Sequence, residues 1–147
     1  MPSPLEKPTS QKTLVLAGNP NVGKSVIFNA FTGLYANVSN FPGTTVDIPT
    51  GCLKGQENIT IKDSPGVYGL SGMSDEEQVA KKTIYTADAV VNVVSALSLE
   101  RDLFLTQQLI DTGCRLIVAL NQMDEAVNQQ LEIDVEKLSE LLGVPVI

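Results

Sequence analysis

The stretch GNPNVGKS at residues 18–25 decides the fold of this chain. It matches G-x-x-x-x-G-K-[ST], the pattern of a phosphate-binding loop. The apolar segment TLVLAG at 13–18 precedes it, and the helix-like segment SVIFNAFTGL at 25–34 follows it. Its two glycines let the backbone curl so that successive N–H groups point at phosphate oxygens beside a helix N-terminus. The sequence therefore predicts a strand, a phosphate loop and a helix in that order. One face of that helix is expected to carry Val26, Ile27, Ala30, Phe31 and Leu34.

The residues of this loop have predicted roles. Lys24 is expected to reach the β- and γ-phosphates of a nucleoside triphosphate, and the Ser25 hydroxyl is expected to bind Mg²⁺. The candidate nucleotide ligands in the loop are Gly18, Asn19, Pro20, Asn21, Val22, Gly23, Lys24 and Ser25.

Composition narrows the possible functions. The 147 residues carry a net charge of −7, so nucleic acid or an anionic lipid surface is not an expected partner. The chain has no histidine, which removes the usual general base and the commonest metal ligand. Cys52 and Cys114 lie far apart and are expected to be reduced thiols. Because no segment resembles a signal peptide or a membrane span, we expect a soluble cytoplasmic domain.

The order of the predicted elements indicates an α/β fold. Residues 47–63 read as two strands joined by a tight turn at Gly55, which predicts a hairpin. Helices and apolar strands then alternate up to a last strand at 144–147. This order predicts a mostly parallel six-stranded sheet with one antiparallel hairpin strand and with helices on both faces. We expect a flexible tail at 1–11 and a single domain at 12–147.

The segment NQMD at residues 121–124 is the candidate base-recognition motif, and it follows the apolar strand RLIVAL. The Asp124 carboxylate can accept two hydrogen bonds from the N1–H and N2–H₂ edge of guanine, whereas adenine would leave it unpaired. The candidate guanine-binding residues are Asn121, Gln122, Met123 and Asp124.

The segment DSPG at residues 63–66 also ends a predicted strand. Asp63 is expected to hold the Mg²⁺ shell, and the Gly66 N–H is expected to sense the γ-phosphate. All four residues are candidate nucleotide ligands: Asp63, Ser64, Pro65 and Gly66. The order of the three motifs predicts a Ras-like P-loop GTPase.

Two loops are candidate switch segments that order and disorder with the γ-phosphate. The first, at 35–46, contains Thr44 and Thr45, either of which could bind Mg²⁺ in the triphosphate state. The second, at 64–75, contains three glycines.

The segments NFPGTTV, DSPGVYGLS, LSLERDLFLTQQL and ALNQMDE together resemble the cytoplasmic GTPase domain of the bacterial ferrous iron transport protein B family, FeoB. This resemblance implies an N-terminal GTP-hydrolysing domain of an inner-membrane protein for Fe²⁺ uptake, followed by a helical domain and membrane helices. It also implies that Thr45 is the switch threonine and that Asn21 binds K⁺, which stimulates hydrolysis. It leaves the oligomeric state open. The predicted catalytic residues are Asn21, Lys24, Thr45 and Gly66.

Some features leave alternatives open. Val67 stands where Ras-type enzymes have the glutamine that orients water. The domain is therefore expected to hydrolyse GTP slowly, or to be a nucleotide-binding switch with negligible hydrolysis. The missing positive charge could come from K⁺ or from a partner's arginine, because the first switch has none. A free-standing Era-like GTPase of ribosome assembly is a further alternative.

The sequence also departs from the family pattern. Gln122 and Ser95 stand where relatives often carry lysine and aspartate. The chain stops at Ile147, where a Ser-Ala turn would complete the guanine pocket, so we expect a truncated GTPase domain.

Overall fold

The computed structural model describes residues 11–147, and the first ten residues of the predicted tail lie outside the described part. The strands are β1 (Lys12–Gly18), β2 (Ala36–Asn40), β3 (Asp47–Leu53), β4 (Gln56–Asp63), β5 (Ala89–Ser95) and β6 (Leu116–Asn121). The helices are α1 (Lys24–Thr32), α2 (Asp75–Tyr85), α3 (Leu99–Asp111), α4 (Met123–Asn128) and α5 (Val135–Leu142).

All six strands form one sheet, in the order β2-β3-β4-β1-β5-β6. β1 pairs in parallel with β4 and β5, and β5 pairs in parallel with β6. β3 is antiparallel to both of its neighbours, so it alone of these six runs against the others. The predicted mostly parallel sheet with one antiparallel hairpin strand is confirmed.

The structure corrects the prediction for two segments at the borders of the sheet. Residues 36–40 were predicted as loop, yet they form the edge strand β2, which pairs with β3. All five of its residues are exposed, so the strand has no buried face, and the alternate apolar residues Ala36 and Val38 are too few to indicate a strand. The predicted strand at 144–147 makes a single bridge, between Val146 and Val118.

Two apolar clusters cover opposite faces of the sheet. Val15 and Ala17 of β1 pack with Leu105 of α3, in a cluster that also contains buried residues of α2. Leu16 points the other way and packs with Phe28 of α1. The predicted helices on both faces are therefore confirmed. The parallel strands β1, β4, β5 and β6 all end on the same side of the sheet, so their carboxyl ends lie together.

The predicted inward face of helix α1 is only partly confirmed. Ile27 and Phe31 pack against the apolar cluster that contains the buried Phe28. Val26 and Leu34, which were predicted to share that face, are 71% and 77% exposed. Leu34 lies beyond the end of the helix, which its left-handed cap Gly33 terminates.

Candidate functional site

The phosphate loop connects β1 to α1 and lines a cavity of about 410 Å³. The lining residues are Asn19, Pro20, Asn21, Gly23, Lys24, Ser25, Val26 and Gly66. Gly66 comes from the DSPG motif and approaches so closely that a Cβ there would lie 3.0 Å from Pro20 Cα. Helix α1 has no side-chain cap at its N-terminus, so its first N–H groups are available to an anion in the cavity.

Lys24 joins the phosphate loop to the DSPG motif. Its ammonium contacts the Asp63 carboxylate and donates to Ser64 O at 2.7 Å. The side chains of Lys24 and Asp63 are 10% and 8% exposed. Ser64 Oγ donates in turn to Leu16 O at 2.7 Å, which fixes the motif against β1. A buried cation and a buried carboxylate therefore lie together beside the cavity, which suits phosphate and a hard divalent ion.

Asn121 joins the base-recognition motif to the phosphate loop. Its Nδ2 donates to Val22 O at 2.9 Å. Gly23 leaves the space for this contact, because a Cβ at that position would lie within 3.0 Å of Asn121 Nδ2. The segments 18–25 and 121–124 are thus in direct contact at the carboxyl ends of the parallel strands.

The rest of the NQMD motif forms the junction between β6 and the unpredicted helix α4. Gln122 precedes α4 with a φ of 62°, and its Oε1 accepts a hydrogen bond from Ser95 Oγ. The two departures from the family pattern therefore contact each other. Met123 is half-buried, and Asp124 is exposed in the first turn of α4. Among residues 11–147 no hydrogen bond engages the Asp124 carboxylate, and its role in reading guanine stays a prediction.

The two candidate switch threonines differ in their hydrogen bonds. Thr44 Oγ1 donates to Phe41 O at 2.9 Å and accepts from Val46 N–H at 3.1 Å, so this hydroxyl stabilises the turn between β2 and β3. Thr45 is exposed, and its hydroxyl has no hydrogen-bond partner within the described residues. Neither hydroxyl is hydrogen-bonded to the phosphate loop. The Thr44 hydroxyl is therefore already engaged, whereas the role of Thr45 as the switch threonine stays a prediction.

Helix α3 lies against the second switch segment, a contact that sequence reasoning missed. Gln108 Oε1 accepts a hydrogen bond from Leu70 N–H at 2.6 Å. The Arg101 guanidinium lies 5.6 Å from the centroid of the Tyr68 ring, so this arginine is near the second switch despite its distance in sequence. Val67 is buried in the core and is directed away from solvent. No spacing rule could indicate these contacts, because they join segments that lie far apart in the chain.

Comparison with known proteins assigns the family. A family profile described as "Ferrous iron transport protein B" matches residues 12–147. The chain belongs to this family. The Fe(2+) transporter FeoB of Legionella pneumophila is 46% identical over 140 residues, which cover 90% of this chain and 19% of the relative. FeoB of Salmonella typhimurium is 44% identical over 142 residues, covering 92% and 18%. The chain thus spans about one fifth of the length of these curated relatives.

Solved FeoB structures confirm the fold class. A mutant of S. thermophilus NFeoB bound to mGDP superposes with a TM-score of 0.90 at 44% identity, covering 94% of this chain and 54% of that one. The mGMPPNP-bound S. thermophilus NFeoB gives 0.81 at 45% identity, covering 92% and 53%. The predicted resemblance to the FeoB GTPase domain is therefore confirmed. Between residues 11 and 147, no helix is both long and apolar enough to cross a bilayer.

Proposed function

We propose that this domain binds GTP and GDP with Mg²⁺ and slowly hydrolyses GTP to GDP and phosphate. In this way it would regulate or drive Fe²⁺ uptake by a transporter in the bacterial inner membrane. The domain would be the cytoplasmic part of this transporter and would be joined to its helical and transmembrane parts. The observation that carries the proposal is the contact of both the DSPG and the NQMD motif with the phosphate loop. Lys24 contacts Asp63, and Asn121 bonds to Val22. The nucleotides bound to similar FeoB structures support it.

The phosphate loop supplies the groups for the triphosphate. Backbone N–H groups at the start of α1 face the anion, and Lys24 is close enough to the cavity to leave Asp63 for a phosphate oxygen. Asp63 and the hydroxyls of Ser25 and Thr45 would supply oxygen donors of the type that holds Mg²⁺. When bound there, this ion would neutralise charge on the β- and γ-phosphates.

Base selection is assigned to the β6–α4 junction. Asn121 fixes this junction relative to the phosphate loop through Val22 O. Asp124 is exposed at the start of α4, where its carboxylate is unengaged by residues of the described chain and available to a guanine edge. An adenine edge presents an acceptor to that carboxylate, which disfavours ATP.

Slow, potassium-stimulated hydrolysis is the expected activity. Val67 is buried and cannot orient water, so that role falls to backbone groups such as the Gly66 N–H. Asn21 lines the cavity, is exposed, and offers a side-chain carbonyl oxygen. Potassium held there would supply the positive charge that the first switch lacks.

Nucleotide titration and phosphate release test the proposal. Fluorescent GDP and GTP should bind to the wild type at least roughly a hundredfold more tightly than ATP. A K24A variant, with its phosphate contact removed, serves as the matched control and should lose that binding. Equal affinity for ATP and GTP in the wild type would refute the assignment. The alternative of a switch module is favoured instead if guanine nucleotides bind but no phosphate appears in a single-turnover assay. The family assignment gives no support to the Era-like alternative.

A further inference from the structure

We propose that Asp102 of α3 is a positioning residue for the phosphate loop, which it holds through Asn19. The inference rests on the nucleotide-binding function proposed above. It concerns a helix that none of the three nucleotide motifs includes.

The Asp102 carboxylate is buried, with 1% of the residue exposed. Its Oδ1 accepts from Asn19 Nδ2 at 2.9 Å, and its Oδ2 accepts from Ser95 N–H at 2.7 Å. Longer bonds of 3.3 Å come from Arg101 Nε and Ser98 Oγ. A buried carboxylate needs such donors, because its desolvation is otherwise costly. The donors come from the phosphate loop, the end of β5 and the start of α3, so one carboxylate ties these three segments together.

Asn19 depends on this carboxylate. The residue is 1% exposed, and its Oδ1 has no hydrogen-bond partner within residues 11–147. The bond to Asp102 is therefore the single side-chain hydrogen bond that holds Asn19 among the described residues. If it is removed, the buried amide loses its anchor and the first half of the loop is released from α3.

The anchored loop includes a residue in the left-handed region. Asn21 has a φ of 67°, a conformation that few residues other than glycine, asparagine and aspartate adopt. Such a conformation persists when the surrounding structure holds it in place. Asp102 holds Asn19 on one side of Asn21, and Asn121 holds Val22 on the other. The loop is thereby clamped from α3 and from β6, and its N–H groups are aimed before a phosphate arrives.

Three variants of the full 147-residue chain separate this role from general stabilisation of the core. D102A removes the anchor. T106V is the matched control, because Thr106 lies one turn further along α3, is fully buried, and donates to Asn92 Oδ1. Asn92 Nδ2 donates in turn to Ala17 O of β1, so this contact involves no residue of the loop at 18–25. D102N is the conservative replacement. Its amide can donate to Asn19 Oδ1 once the Asn19 amide rotates by half a turn, while its oxygen still accepts from Ser95 N–H.

Fluorescent-GDP titration gives the first measurement. D102A should weaken GDP binding roughly tenfold, the scale expected for an unsatisfied buried polar group. T106V should bind like the wild type even if its melting temperature falls, and D102N should recover most of the affinity. N19A should match D102A in GDP affinity, and the double variant N19A/D102A should lose no more than either single variant, since both remove the same bond between Asn19 and Asp102. Equal affinities of D102A and T106V would overturn the proposal.

Hydrogen exchange without nucleotide gives the second measurement and separates the two proposals. The amides of residue 19 and residues 21–23 should exchange faster in D102A than in T106V, since Pro20 has no N–H, and N19A should show the same change if D102A folds poorly. Unchanged exchange rates in both D102A and N19A would refute the proposal that Asp102 holds the phosphate loop through Asn19. A wild type that fails to bind GDP would refute the proposed function, while the exchange rates would still decide the clamp.

Discussion

Replacing Gly23 with alanine should separate the phosphate loop from the base-recognition motif. Gly23 has a φ of 87°, and alanine in the left-handed region costs about 1–2 kcal/mol. The added Cβ would also collide with Asn121 Nδ2, so Asn121 must withdraw from Val22 O. The lost hydrogen bond adds about 1 kcal/mol. G23A should therefore lower the free energy of unfolding by about 2–3 kcal/mol.

Gly55 supplies a control for backbone strain. It has a similar φ of 81° in the β3–β4 turn, and an added Cβ there would meet nothing within 4 Å. G55A should lower the free energy of unfolding by about 1–2 kcal/mol and leave nucleotide binding unchanged. G23A should in addition weaken GDP binding roughly tenfold, which corresponds to about 1.4 kcal/mol.

Urea unfolding followed by far-UV circular dichroism measures the stability of both variants, since the chain has no tryptophan. Fluorescent-GDP titration measures the affinity. If G23A and G55A prove equal in both stability and affinity, the contact between Asn121 and the loop has no energetic role and the reasoning is wrong.

Three further predictions concern the nucleotide. D124N should weaken guanine nucleotides by about 1–3 kcal/mol and shift preference towards xanthine nucleotides, and an unchanged preference in competition titrations would remove Asp124 from base recognition. T45A should slow Mg²⁺-dependent phosphate release while sparing GDP binding. T44A should instead loosen the β2–β3 turn, and loss of hydrolysis in T44A alone would reverse the choice between them. N21A should remove most of the difference between the phosphate-release rates in KCl and NaCl without loss of GDP binding. If the wild-type rates are equal in the two salts, the positive charge comes from a partner's arginine and not from potassium.

The segments of the site whose local backbone conformation depends on their own residues could be predicted from the sequence. GNPNVGKS requires a left-handed glycine and a helix start, and the structure places it between β1 and α1. The DSPG and NQMD motifs could be placed at strand ends because apolar runs precede them, and parallel strands end at one edge. The hairpin at 47–63 followed from its turn at Gly55.

The contacts between segments could not be predicted. Asp102 meets Asn19 and Ser95 meets Gln122 across the fold, and such pairs follow no spacing rule in one sequence. β2 was missed because its polar residues are exposed and only its pairing with β3 makes it a strand. The inward face of α1 was predicted only in part, because Ile27 and Phe31 pack on the core as expected, whereas Val26 is exposed despite its apolar spacing.

The edge strand β2 lies inside the segment 35–46, so the first candidate switch is partly sheet. Any rearrangement that pulls β2 away would make β3 the new edge of the sheet. An uncovered edge offers its backbone groups to the sheet of another molecule and so promotes aggregation. Phe41 N–H donates to Val46 O, and hydrogen-bonded pairs alternate along an antiparallel ladder, so Pro49 opposite Val38 belongs to a pair without hydrogen bonds and its nitrogen faces β4. The strand that such a movement uncovers would therefore present the backbone groups of Ile48 and Thr50, and the proline between them would not block a foreign strand.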